Sequence, residues 1–386
     1  MARTALRLER LAARDVPSVV ADDVADVPVD ELMYTTAVAE VVDDTPGGYS
    51  ANYRDDTAEA DATAGGYSAG VEAAPLLRQA TPRLAVATGA GRTTVLNVFD
   101  GPTGAHLGSV TPFGDGHTAG ARVAVGDITG DGVADVVVAS GPGVAPRVKV
   151  FDGTTLSEAA VISPYENTFT GGVFVAVGDV TGDGRADVVT TAGDGGGPVV
   201  KVFAGDDLTR PAKSFFVYEE DFRGGATVAV GDADADGFAD IVTGAGTGGG
   251  PRVVVTSGRT GERLQDFFAF DNGTRGGVSV AVADLAGGPT VATALLDGSG
   301  NQVRLFRGGF QTGMLTPFDA GDGRPQTRTP ATVAFTDLSG DGEPELVVAT
   351  PSGQDRQVRV LDPLTGLAAR TLAAVPPEYA GGLFVA

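Results

Sequence analysis

The chain is 386 residues long, with 58 glycines, 42% hydrophobic residues, few aromatics and no cysteine, and its formal charge is −23. That charge excludes a nucleic-acid backbone as partner, since such contacts reward clustered cations, and it suits a soluble protein that gathers divalent ions. The lack of cysteine excludes a disulfide framework, a thiolate metal site and a thiol nucleophile, and no run of 18 apolar residues offers a membrane span.

Residues 1–20 carry Arg3, Arg7, Arg10 and Arg14 at helical spacing, with Leu6, Leu8 and Leu11 between them, until Asp15-Val16-Pro17-Ser18 stops the pattern. No apolar core of a secretory signal follows the basic start. The stretch Leu8-Glu9-Arg10-Leu11-Ala12-Ala13-Arg14 resembles the short arginine-and-leucine opening of large surface-associated repeat proteins of some bacteria. An export segment and a plain frayed helix are the two readings. Residues 21–78 form an acidic segment with duplicated Gly-Gly-Tyr-Ser (Gly47–Ser50 and Gly65–Ser68). Its composition predicts disorder rather than a packed core.

From residue 79 the chain repeats. An apolar run enters an acidic loop whose first aspartates are Asp127, Asp179, Asp232, Asp284 and Asp337, at intervals of 52, 53, 52 and 53. A second strand leads to a glycine-rich turn, a third strand ends at a Gly/Asp turn, and a variable fourth strand ends at a double glycine. Four short strands per unit of this length predict a β-propeller blade, and such a blade needs neighbours on both faces. The first unit starts at its second strand, Arg83–Thr88, while Leu383–Ala386 reads as a first strand with nothing after it. The expectation is therefore an all-β, six-bladed propeller of four-stranded antiparallel blades over 79–386, closed by the C-terminal strand completing the first blade.

The loops place oxygen-bearing side chains at positions 1, 3, 5 and 9, a carbonyl at 7 and glycine at 6. That is the way a short loop closes on a hard cation taking six to eight oxygens. The second unit offers Asp127, Thr129, Asp131, the Val133 carbonyl and Asp135; the third offers Asp179, Thr181, Asp183, the Arg185 carbonyl and Asp187. The fourth, the most acidic, has Asp232, Asp234, Asp236, the Phe238 carbonyl and Asp240. The sixth has Asp337, Ser339, Asp341, the Glu343 carbonyl and Glu345, with a longer final ligand and Pro344. The fifth keeps only Asp284 and is expected to hold nothing. Asp-x-x-Gly-Asp-Gly is also ordinary hairpin chemistry. That chemistry does not account for an acid at the ninth position, where a strand begins, and crowded carboxylates repel without a cation. Three calcium sites are expected, with the sixth unit a possible fourth. Zinc and copper are poor candidates in a chain whose histidines are His106 and His117.

These units resemble the FG-GAP repeats of integrin α-subunits and bacterial surface proteins. The resemblance implies one blade per repeat, with calcium in the loop between its first and second strands. The Phe-Gly and Gly-Ala-Pro signposts are loose here, at Val125-Gly126 and at Ser140-Gly141-Pro142 or Gly244-Ala245-Gly246, and integrin propellers have seven blades. Gly244–Gly249 mimics a phosphate-cradling loop but runs into a strand, whereas a phosphate loop must open a helix. Arg147, Lys149, Lys201, Arg252, Arg304 and Arg359 recur around the third strands. They are read as solvated or paired rather than as a groove for an anionic polymer. Phe99, Phe151, Phe203 and Phe306 are read as packing between blades.

The resulting expectation is a non-catalytic, monomeric, calcium-binding propeller, extracellular or at a cell surface, binding a protein or glycan. The alternatives are a propeller hydrolase or lyase acting on a polysaccharide or phosphoester, and a structural repeat protein of the cell envelope.

Overall fold

The computed structural model describes residues 80–297, 302–318, 331–338, 341–349, 358–371 and 383–385. The basic leader, the acidic segment 21–78 and the loop residue Ser339 lie outside the described residues.

Six four-stranded antiparallel sheets account for every strand described. Blade 2 shows the pattern: inner strand Ala121–Gly126, second Asp135–Ser140, third Val148–Phe151 and outer Glu158–Ile162. The second strand is buried throughout because both its faces meet neighbouring sheets. This explains its unbroken Val136-Val137-Val138-Ala139 run where a half-exposed strand would alternate. Blades 3, 4, 5 and 6 begin at Val173, Ala226, Val278 and Thr332.

Blade 1 takes its inner strand, Leu383–Val385, from the far end of the chain, paired antiparallel with Thr88–Val86. The buried apolar side chains fall into six clusters, each drawn from two consecutive blades. The sixth blade contributes Leu338, Val347 and Val360 to a cluster with Leu84 and Val86 of the first. Six interfaces for six blades is the condition for a closed ring, and closure removes the unpaired edge between first and last sheets. Each fully buried valine or leucine in these clusters contributes roughly 1.5–3 kcal/mol.

Contacts between inner strands set the blade spacing. Gly126 ends the blade-2 inner strand, and a Cβ there would fall 2.3 Å from Val177 Cγ1 of blade 3; Gly178 meets Val230 of blade 4 in the same way. Side chains also satisfy the backbone of the neighbouring inner strand. Thr191 Oγ1 donates to the Ala226 carbonyl at 2.6 Å, Thr227 Oγ1 to the Val278 carbonyl at 2.5 Å, and Arg122 to the Val173 carbonyl at 3.3 Å. Phe151, Phe203 and Phe306 are buried between blades as the sequence suggests.

The acidic loops as a candidate metal centre

Each acidic loop joins an inner strand to its second strand, and each wraps round its own first aspartate. In blade 2, Asp127 Oδ1 accepts from the amides of Gly130 (2.7 Å) and Asp131 (3.1 Å), and Oδ2 from Gly132 (2.9 Å). Asp179 does the same with Gly182, Asp183 and Gly184, and Asp232 with Ala235, Asp236 and Gly237. Asp337 holds Asp341 and Gly342. The fifth-position acids Asp131, Asp183, Asp236 and Asp341 accept from the amides of Val133, Arg185, Phe238 and Glu343, at 2.8–2.9 Å. To fold so tightly, position 6 takes a positive φ: Gly132, Gly184, Gly237 and Gly342 lie at 85–86°. Position 4 does too, at 76° in Gly130 and 74° in Gly182, and blade 4 forces Ala235 to 64°.

The ninth-position acid has an occupation that the sequence does not reveal. Asp135 is fully buried. Its Oδ2 accepts from the amides of Ile128 (2.9 Å) and Thr129 (2.8 Å), and its Oδ1 from Gly153 (2.9 Å) in the turn between the third and outer strands. Asp187 repeats this with Val180, Thr181 and Gly205, and Asp240 with Ala233 and Gly258. Glu345 accepts from Leu338 at 2.8 Å. The acid thus ties the loop to the next hairpin of its own blade. Thr129 and Thr181 lean their hydroxyls toward the same carboxylates, at 3.5 and 3.3 Å.

Burial nevertheless leaves these acids short of compensation. It pushes the carboxyls of Asp135 and Asp187 above the usual range, and that of Asp240 up to about 6, helped by repulsion from Asp234 and Asp236. Asp234 is raised as well, by burial and then by Asp236. In blade 4, oxygens of Asp232, Asp234 and Asp240 all lie within 4.8 Å of one another, and no other such trio of acids or histidines occurs among the described residues. Three carboxylates of like sign at that separation fit a hard divalent cation. The carbonyls of Val133, Arg185, Phe238 and Glu343 remain available as a neutral ligand at position 7. Blades 2 and 3 bring their aspartates into the same loop shape but with threonine at position 3, so they present less charge.

Blade 5 is built differently. Its inner strand runs on to Leu285, with Asp284 opposite Pro289 and Leu285 opposite Gly288, so the tip is only Ala286-Gly287. Arg307 caps that tip: Nη1 donates to the Gly287 carbonyl (3.0 Å), Nη2 to the Ala286 carbonyl (2.9 Å) and Nε to Thr290 Oγ1 (2.9 Å). Thr290 holds the ninth position of this blade, since Val291 faces Phe306 as Val136 faces Phe151. In blade 1 the same register puts Arg83 at the ninth position, where it pairs with Asp100 at 3.3 Å.

The third-strand cations do not form a groove. Lys201 donates to the Pro164 carbonyl at 2.7 Å and lies 4.9 Å from the Tyr165 ring of the preceding blade. Arg304 likewise binds the Ala269 carbonyl (3.0 Å) over Phe270, and Arg359 the Pro317 carbonyl (2.6 Å) over Phe318. Arg252 pairs with Glu219 and Asp266, Lys149 with Glu158, and Arg147 bonds Ser163 and Asn167. These are clamps between and within blades. The aromatic that closes the previous blade is the signal, and it becomes visible only once the ring sets the two segments side by side.

Each histidine lies beside one hydroxyl. His106 Nε2 meets Ser109 Oγ at 3.0 Å, but Ser109 gives its proton to Asn97 Oδ1 at 2.7 Å. His117 bonds Thr94 Oγ1 at 2.8 Å, and burial lowers its pKa. The glycine run 244–249 joins two strands, Asp240–Ala245 and Arg252–Thr256, and opens no helix. No helix among the described residues is long and apolar enough to cross a membrane.

Residues 127–190 match the FG-GAP-like repeat. No curated protein matches the chain. Among solved structures, the chain is similar to one from a nidogen/laminin complex (9% identity, 79% of this chain and 98% of that chain covered, TM-score 0.49). It is also similar to the WD40 repeats of RRP9 (13%, 72% and 72%, 0.45) and to a rhamnogalacturonan lyase of Bacillus licheniformis (15%, 78% and 68%, 0.38). The matched stretch runs from the blade-2 loop into the second strand of blade 3: the chain is a six-bladed β-propeller that carries an FG-GAP-like repeat at residues 127–190.

Proposed function

We propose that the chain is a non-catalytic binding module whose acidic loops hold calcium, three in blades 2, 3 and 4 and a fourth in blade 6. The observation that carries this reading is the blade-4 loop, where Asp232, Asp234 and Asp240 bring oxygens within 4.8 Å of one another. In blade 4 the ligands would be Asp232, Asp234, Asp236, the Phe238 carbonyl and Asp240. Asp127, Thr129, Asp131, Val133 and Asp135 would serve in blade 2, and Asp179, Thr181, Asp183, Arg185 and Asp187 in blade 3. Bound calcium supplies charge neutralisation and a rigid link between loop and strand, so its binding free energy adds to folding. A cell-surface or extracellular setting follows from the calcium demand, and the partner class is a protein or glycan.

The test is a thermal melt with direct measurement of bound metal. Calcium at 100 times its dissociation constant adds about 2.7 kcal/mol per site, so the chelated protein should melt well below the calcium-loaded one, and magnesium should restore little. A melt unchanged by chelator, with no calcium released, would refute the proposal.

A further inference from the structure

Blade 1 has no acidic loop, because its inner strand comes from the other end of the chain. The place beside the blade-2 loop is taken instead by Ala80-Thr81-Pro82. The Thr81 amide donates to the Gly132 carbonyl at 2.9 Å, and the Ala134 amide donates to the Thr81 carbonyl at 3.1 Å. Thr81 therefore forms a parallel bridge with Val133, the residue between those two partners. In blade 3 the corresponding amide, Ala186, reaches the Asp127 carbonyl of the neighbouring loop at a looser 3.4 Å. Thr81 thus does for blade 2 what one acidic loop does for the next.

The strap is anchored where it enters blade 1. The Gly101 amide donates to the Pro82 carbonyl at 3.1 Å. Arg83 Nε donates to the Gly153 carbonyl at 3.2 Å, and the amide of that same Gly153 donates to Asp135 Oδ1 at 2.9 Å. Two ligand positions of the blade-2 loop, the seventh-position carbonyl and the ninth-position carboxylate, are held from the start of blade 1. Beside the strap lies a cleft of about 370 Å³, lined by Thr81, Arg83, Val125, Ala134, Thr336 and Asp337.

We infer that Thr81 is a positioning residue for the blade-2 metal site: by bridging Val133 it presets the carbonyl that the ion takes, and it makes calcium affinity at this loop depend on the docked strap. The inference rests on the calcium reading of the loops. Both Thr81 bonds are main-chain, so the side chain itself is dispensable while the amide is not.

The test is hydrogen exchange by mass spectrometry on the full chain across a calcium titration, following 127–135 and 232–240 separately. In Thr81→Pro, which deletes the donor to the Gly132 carbonyl and so loosens the strap, the Ala134 amide bonded to the Thr81 carbonyl should exchange faster in chelator. The midpoint of calcium protection over 127–135 should rise about tenfold, the lower end of what losing an outer-shell partner costs a metal site. The midpoint over 232–240 should not move, and Thr81→Ala should behave as the parent. Arg83→Met, which keeps the backbone, should raise the same midpoint by a smaller factor and serves if the proline variant does not fold. Equal midpoints over 127–135 in the parent and these variants would overturn the inference alone. A parent chain with no calcium-dependent protection in either segment would overturn the metal reading, and this inference with it.

Discussion

Ala235 is the clearest local defect in the repeat, and relieving it gives a quantitative test of the loop geometry. Its φ of 64° matches those of Gly130 and Gly182 at the same loop position, yet it carries a Cβ. A left-handed conformation costs an L-residue roughly 1–2 kcal/mol, and glycine gives back about 0.5–1 kcal/mol through its freer unfolded chain. Ala235→Gly keeps the 2.7 Å amide bond to Asp232 and should stabilise the chain by about 0.5–1 kcal/mol. The reverse changes grade the prediction. Gly130→Ala faces only the Arg185 guanidinium at 3.8 Å, whereas Gly182→Ala would press on the Phe238 ring at 3.1 Å and should cost more. Urea unfolding in chelator keeps metal binding out of the comparison. At a slope of about 3 kcal/mol/M the A235G midpoint should rise by about 0.2–0.3 M. A lower midpoint for A235G, or a neutral G182A, would refute the idea that position 4 is held in the left-handed region.

Two other outcomes follow from the electrostatics. The Asp240 carboxyl titrates at about 6 in the fold against an ordinary 3.8, so between these values the native state holds the proton more tightly than the unfolded chain. Stability in chelator should therefore rise on acidification from pH 7 to pH 5 and fall as pH climbs back through 6; the gap caps the gain near about 3 kcal/mol. Asp240→Asn should flatten this slope, and a slope the same as in the parent would refute the assignment. Arg304→Met removes the bond to the Ala269 carbonyl and the contact with Phe270. It should destabilise by about 1–2 kcal/mol, with Arg304→Lys recovering part, and a midpoint within error of the parent would show that the clamp contributes nothing.

The architecture is largely written in the chain, and its active chemistry less so. A spacing of 52–53 residues fixes the blade count, and the mismatch between Arg83 and Leu383–Val385 gives the closure, because both are properties of the order of apolar runs. The ninth-position aspartate is harder. Its spacing fits a metal ligand, but besides the amides of Ile128 and Thr129 in its own loop it holds that of Gly153, which comes from a separate hairpin. Lys201 and Tyr165, or Arg304 and Phe270, are 36 and 34 residues apart and meet only across a blade interface. Thr81 gives no sequence signal, since it acts through its peptide group and any residue but proline supplies the same atoms.

On the proposal that the acidic loops hold calcium, Arg307 changes what a fall in free calcium does to such a ring. Its guanidinium grips the blade-5 tip as part of the polypeptide itself, so dilution cannot strip it away. Arg83 gives blade 1 a tethered charge of the same kind at the seam. On that proposal two of the six sectors would keep their fastening in an ion-poor medium, and depletion should slacken the ring in patches, leaving a partly intact scaffold on which returning ions can rebuild the rest.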